Sequence, residues 1–105
     1  MTKEQLQEYR NIKKELDALE VMHRKIDKLG NFELIDYYKK SSEKLSNELL
    51  RIEMAFDTLS YTERTLMRLR YIEGLSWQAI CGRIGYSWQQ THRIHARALI
   101  KIKDL

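Results

Sequence analysis

Tyr9, Ile12, Leu16, Leu19, His23 and Ile26 succeed one another at spacings of 3, 4, 3, 4 and 3 residues. A period of roughly 3.5 residues puts all of them on one face of a helix and is incompatible with a strand, whose faces alternate every second residue. Leu6, Met22 and Leu29 flank the stripe and Gly30 stands where a left-handed cap would end it, so the spacing predicts a helix over Lys3 to Leu29. The same rhythm resumes at Ile35, Tyr38, Ser42, Leu45, Leu49, Ile52, Phe56 and Leu59, predicting a second helix over Glu33 to Thr58. Its weak place is Lys39 to Ser42, where Ser41 or Ser42 could cap a fresh start and split it. Two such seams joined by so short a turn favour an antiparallel, coiled-coil-like hairpin.

The chain has 105 residues and no proline, which suits long helices with short connections and an all-α class. That length holds one core, with little room for a large active-site cleft. A single cysteine, Cys81, excludes an intramolecular disulfide and a cysteine zinc cluster. With no apolar run near the roughly 18 residues of a membrane span and no hydrophobic leader, the expected place is the cytoplasm, with no membrane partner. The net charge of +4 is unevenly spread. Residues 1–59 carry 11 Lys and Arg against 12 Asp and Glu, net −1, whereas residues 60–105 carry 8 against 3, net +5. A basic half of this kind points to a polyanion.

The pattern changes at Leu59. Ser60 with Glu63 forms a capping box that starts a helix near Tyr61, running to Gly74 and burying Leu66, Leu69 and Ile72. Two shorter helices follow, Ser76 to Arg83 and Ser87 to about Lys103, with only "IGY" between them, the spacing of a helix-turn-helix. Ile80, Ile84, Ile94 and Leu99 fall at its buried positions and Thr91 faces inward. Cys81 falls where the two helices would cross closely and only a small side chain fits. Gly85 lies in the turn, where a positive φ favours glycine, and Ser87 can cap the last helix. The organisation expected is a hairpin over residues 1–59 and a DNA-binding unit over residues 60–105.

The segment Leu59 to Leu105 resembles the fourth region of sigma-70 family factors, the helix-turn-helix that reads promoter elements. Through "RYIEGLSW", "IGYS" and "RIHARAL" it is more similar still to RinA/ArpU-type phage transcription activators, which carry a helical extension before the DNA-binding unit. It departs from their pattern at Cys81 and Gly82, where alanine and a polar helix former are usual, and at Thr91, often aliphatic. The resemblance implies that the last helix is the recognition helix. Its outward residues near the N-terminal end are then Ser87, Trp88, Gln89, His92, Arg93 and Ala96. Arg93 can bond guanine O6 and N7, Gln89 can pair with adenine, and Trp88 can touch thymine methyls. Arg83, Arg97, Lys101 and Lys103 are placed at phosphates, which fix position without reading sequence.

Other chemistry finds no footing in the sequence. His92 and His95 could share a metal at i, i+3, yet no third ligand presents itself, so neither a metal nor a cofactor is expected. His23 reads as a half-exposed seam residue, and "GRIG" lacks the glycine and strand of a dinucleotide site. There is no P-loop, nucleophile elbow or carboxylate pair beside a cleft, and an enzyme is not expected. The function expected is a sequence-specific transcription regulator, an activator of late phage genes acting on double-stranded DNA with host RNA polymerase. The hairpin would serve polymerase contact or homodimerisation, since Tyr37, Leu50 and Met54 lie off its seam. The competing readings are the DNA-recognition small subunit of a phage packaging terminase and a polymerase-binding adaptor that never touches DNA.

Overall fold

The computed structural model describes residues 1–105, and the chain is all-helical, with no strand. Helices α1 (Lys3–Gln7), α2 (Tyr9–Asp27) and α3 (Phe32–Asp57) come first. Then come α4 (Tyr61–Met67), a π-helical turn over Arg68–Ile72, α5 (Trp77–Ile84) and α6 (Trp88–Lys101). No helix is long and apolar enough to cross a membrane.

The helix expected over Lys3 to Leu29 is broken at Glu8. Thr2 and Gln5 form a capping box on α1, the short helix carries Leu6 into full burial, and the Met1 ammonium donates to the Lys103 carbonyl at 2.9 Å. A straight helix would serve the α2 seam alone, whereas the break lets the first turn bend onto the C-terminal core. Asn31 caps α3 by accepting from the Leu34 amide at 3.1 Å, and α3 then runs without interruption through Lys39 to Ser42. Helices α2 and α3 lie antiparallel. The Lys28–Asn31 turn joins them at one end, and at the other the Tyr9 hydroxyl donates to Glu53 at 2.9 Å.

The seam residues divide along the hairpin. Near Gly30 only Ile26 is buried, while Leu49, Ile52 and Phe56 at the far end are shut off from solvent. That far end is the core, where Leu6, Ile52, Phe56 and Leu59 meet Leu66, Met67, Ile80, Ile94, Ala98 and Ile102. One cluster thus draws on both sides of the point where the sequence pattern changes. At roughly 1.5–3 kcal/mol for each fully buried large aliphatic or Phe, it outweighs the solvated remainder of the hairpin and gives the elongated molecule, 55 × 27 × 20 Å, one firm end.

The Ser60–Glu63 capping box is present, with the Ser60 amide donating to Glu63 at 3.1 Å and the hydroxyl at 2.6 Å. The sequence pattern extends the helix it starts to Gly74, with Leu66, Leu69 and Ile72 buried. Instead the backbone widens into the π turn, with the Glu73 amide donating to the Arg68 carbonyl at 3.0 Å. The wider turn advances the buried face by a residue, so Tyr71 is buried and Ile72 only partly so. Gly74 follows at φ +73°, and a side chain there would collide with the Arg10 guanidinium from α2.

The α5–α6 pair follows the sequence closely. Ser76 caps α5, Gly85 ends it at φ 74°, and Ser87 with Gln90 forms a capping box on α6. Ile80 and Ile94 are buried and Ile84 and Leu99 pack at the margin, but Ala98 and Ile102, which the pattern did not single out, are buried completely. Cys81 lies at the crossing of the two helices, its thiol donating to the fully buried Thr91 hydroxyl at 3.3 Å, yet it is half open to solvent rather than enclosed.

Candidate nucleic-acid interface

Helix α6 is anchored by its inner side. Thr91, Ile94, His95 and Ala98 are buried, which at 3.6 residues per turn leaves Gln89, Arg93, Ala96 and Ile100 along the opposite side, with Arg97 on its flank. Gln89, Arg93, Ala96 and Arg97 are all exposed, as is Arg83 at the end of α5. Neither Arg83, Arg93 nor Arg97 is held by a carboxylate. Arg93 and Arg97 also line a recess of about 420 Å³ with Ser60, Thr62, Glu63, Tyr86, Gln90 and Ile94.

Three of the residues singled out from the sequence stand differently. The Ser87 hydroxyl is taken up by the cap, accepting from the Gln90 amide and donating to Gln90 Oε1, each at 3.2 Å. Lys101 donates to Glu63 at 2.8 Å, which gives that buried carboxylate its only charged partner. Burial pushes the Glu63 carboxyl up, but the bonds from Lys101 and Ser60 together outweigh it and hold the group below the usual carboxylate range. Lys101 is therefore spent on tying α6 to α4. His92, placed in the outward row by its position, is turned partly inward, with Nε2 buried and without a hydrogen-bond partner.

What turns it is an aromatic stack. The Trp88 ring lies 4.5 Å from His92, His92 lies 4.7 Å from Trp77, and the Arg70 guanidinium sits 4.6 Å over Trp77 while donating to the Leu75 carbonyl at 2.9 Å. Trp88 remains 56% exposed, so one edge of the stack is presented to solvent at the first turn of α6. Such contacts, centroid to centroid below about 5 Å, fix an aromatic that would otherwise move freely. Behind the stack, Tyr71 Oη and His95 Nε2 share a hydrogen bond of 2.7 Å. Burial, reinforced by the charges of Lys3, His92 and Arg70, pushes His95 down to about 4, and burial pushes Tyr71 up to about 12. Both are neutral near pH 7.

Sequence reasoning passed over Trp77, Arg70 and the Tyr71–His95 pair. Trp77 carried a usable signal, a large aromatic at the first position after a serine cap. Arg70 and Tyr71 carried none, because the π turn decides which way each points. Comparison of the chain with protein-family models, with curated proteins and with solved structures finds no match.

Proposed function

We propose that the chain is a sequence-specific, double-stranded-DNA-binding transcription regulator, an activator of phage genes that works with host RNA polymerase in the bacterial cytoplasm. In this reading α5 and α6 are the helix-turn-helix and α6 enters the major groove. The observation that carries it is the exposed row Gln89, Arg93 and Ala96, flanked by Arg97, on a helix whose opposite side is locked into the core. Two other cations nearby are internally neutralised, Lys101 by Glu63 and Arg68 by Glu53 at 2.8 Å, whereas those of the row are left free. Free guanidiniums on a rigid helix are what base and phosphate contacts require. The resemblance to RinA/ArpU-type activators and sigma region 4 agrees with it. Arg93 and Gln89 then read bases, Trp88 meets thymine methyls, Arg83 and Arg97 hold phosphates, and Leu50 and Met54, exposed one turn apart on α3, offer a face for a second copy, with Tyr37 exposed separately nearer the hairpin turn.

The test is selection of bound duplexes from a random library, followed by titration of the selected site against Arg93→Ala. The substitution should cost about 1–3 kcal/mol at one base position and relax preference there. Equal weakening on every sequence would make Arg93 a phosphate contact. Absence of any selected duplex would remove the DNA reading, and a large ring on DNA would favour the packaging subunit.

A further inference from the structure

The geometry points to a second DNA-contacting surface on the N-terminal helices, a basic flank of Lys3, Arg10, Lys14 and Arg70 that follows the phosphate backbone beside the groove read by α6. The inference rests on the DNA-binding reading and extends it to a part of the chain whose sequence is close to neutral.

A helix in the major groove lies between two phosphate ridges about 12 Å apart, so a firmly seated reader needs cations on both of its sides. On one side of the row Gln89, Arg93 and Ala96 is Arg97. On the other, at 3.6 residues per turn, is His92, and through it the stack leads from Trp88 to Trp77 and then to Arg70. Arg70 marks where this side becomes basic. Lys3 is exposed at the start of α1, which the burial of Leu6 and the bond from the Met1 ammonium to the Lys103 carbonyl hold against the C-terminal core. Seven residues further along the chain, in α2, the Arg10 guanidinium covers Gly74, and Arg10, Lys13 and Lys14 line a recess of about 320 Å³ with Tyr9 and Ile72.

The pairing of these cations separates them from ordinary solvated lysines. Lys13 is bonded to Asp17 at 3.3 Å, but Lys3, Arg10, Lys14 and Arg70 have no carboxylate within ion-pair reach. Glu4, Glu8, Glu15 and Glu73 are the acidic residues nearest in sequence to the flank, and none forms an ion pair with it. The break at Glu8 lets α1 carry Leu6 into the core that also holds α6, and the π turn sets Arg70 over Trp77. Both depart from local helical preference.

The experiment measures binding to the selected duplex as a function of salt for the full chain and for Lys3→Gln/Arg10→Gln/Lys14→Gln, alongside Lys3→Gln/Lys14→Gln, which leaves the Arg10–Gly74 contact in place. Lys28→Gln/Lys44→Gln, on the hairpin away from the flank, is the control. Each phosphate contact contributes about 0.9 to the slope of log K against log salt. The triple variant should therefore lose roughly 2–3 units of slope and the double variant about 1–2, with base preference unchanged, backbone protection shortened on one side of the site, and the control as wild type. Wild-type slope and footprint in a folded triple variant, or an equal loss in the control, would overturn the flank while leaving the DNA reading intact. Failure of the wild type to bind any duplex selectively would overturn that reading, and the flank with it.

Discussion

Lowering the pH should destabilise this protein through His95 before its carboxylates are affected. His95 is 8% exposed, bonded to Tyr71, and pushed from 6.5 to about 4 chiefly by burial, with Lys3, His92 and Arg70 adding to it. A base whose folded value is depressed takes up its proton in the unfolded chain first. Above pH 6.5 neither state is charged and the group adds no pH dependence; between 6.5 and about 4 the unfolded chain holds more protons, so stability falls as pH falls. The full span corresponds to about 3 kcal/mol, of which about 2 kcal/mol is lost by pH 5. For a domain of this size that lowers Tm by roughly 10 °C. Glu63 acts in a separate window, since its depressed value removes stability only below the ordinary carboxylate value of 4.5. The assay is thermal and urea unfolding at half-unit steps from pH 7.5 to 4.5, for wild type and His95→Gln. The glutamine side chain can bond Tyr71 but cannot titrate, so its profile should be flat where the wild-type profile falls. A wild-type profile flat from 7 to 5, or the same slope in His95→Gln, would refute the assignment. Tyr71→Phe should cost about 1–3 kcal/mol at pH 7.5, because it leaves Nε2 buried without a partner.

Glu63→Ala removes both the capping-box acceptor and the anchor of Lys101, and by loss of a cap and of a buried charged hydrogen bond it should cost about 2–4 kcal/mol by urea unfolding; a loss no larger than that of Lys101→Ala would show that the carboxylate matters only as the ion-pair partner. Gly74→Ala must hold alanine at φ +73°, so it should cost roughly 1–2 kcal/mol by urea unfolding, and because the Arg10 guanidinium is the exposed end of a flexible side chain that can move aside, the loss should be the same in the Arg10→Ala background. Leu50→Ser/Met54→Ser should shift a homodimer to monomer in light scattering at tens of micromolar while leaving Tm of the dilute protein unchanged, since both side chains are more than half exposed; a wild-type monomer at that concentration sinks the dimer.

What could be read from the sequence was whatever repeats locally. The seams of α2 and α3, the Ser60 and Ser87 caps and the Gly85 turn each depend on residues within one or two turns of one another, and each stands where the pattern put it. What could not be read was set across the chain. Glu8 breaks the first helix because Leu6 is needed in a core made by residues more than forty positions away, and Tyr71 turns inward to a histidine 24 residues on. The cations show the limit most clearly. By charge alone Arg68 and Lys101 are indistinguishable from Arg70 and Arg93, and all four enter the +5 of the C-terminal segment. Folding sorts them. Arg68 is neutralised by Glu53, with Asp57 3.7 Å away, both from the near-neutral N-terminal segment, and Lys101 by Glu63. Arg70 is left over an aromatic ring and Arg93 in solvent. Charge composition therefore located a basic half, but the part of that charge a polyanion can reach is what remains after internal pairing. Within the C-terminal segment that remainder includes Arg83, Arg93 and Arg97, all exposed and without a carboxylate partner.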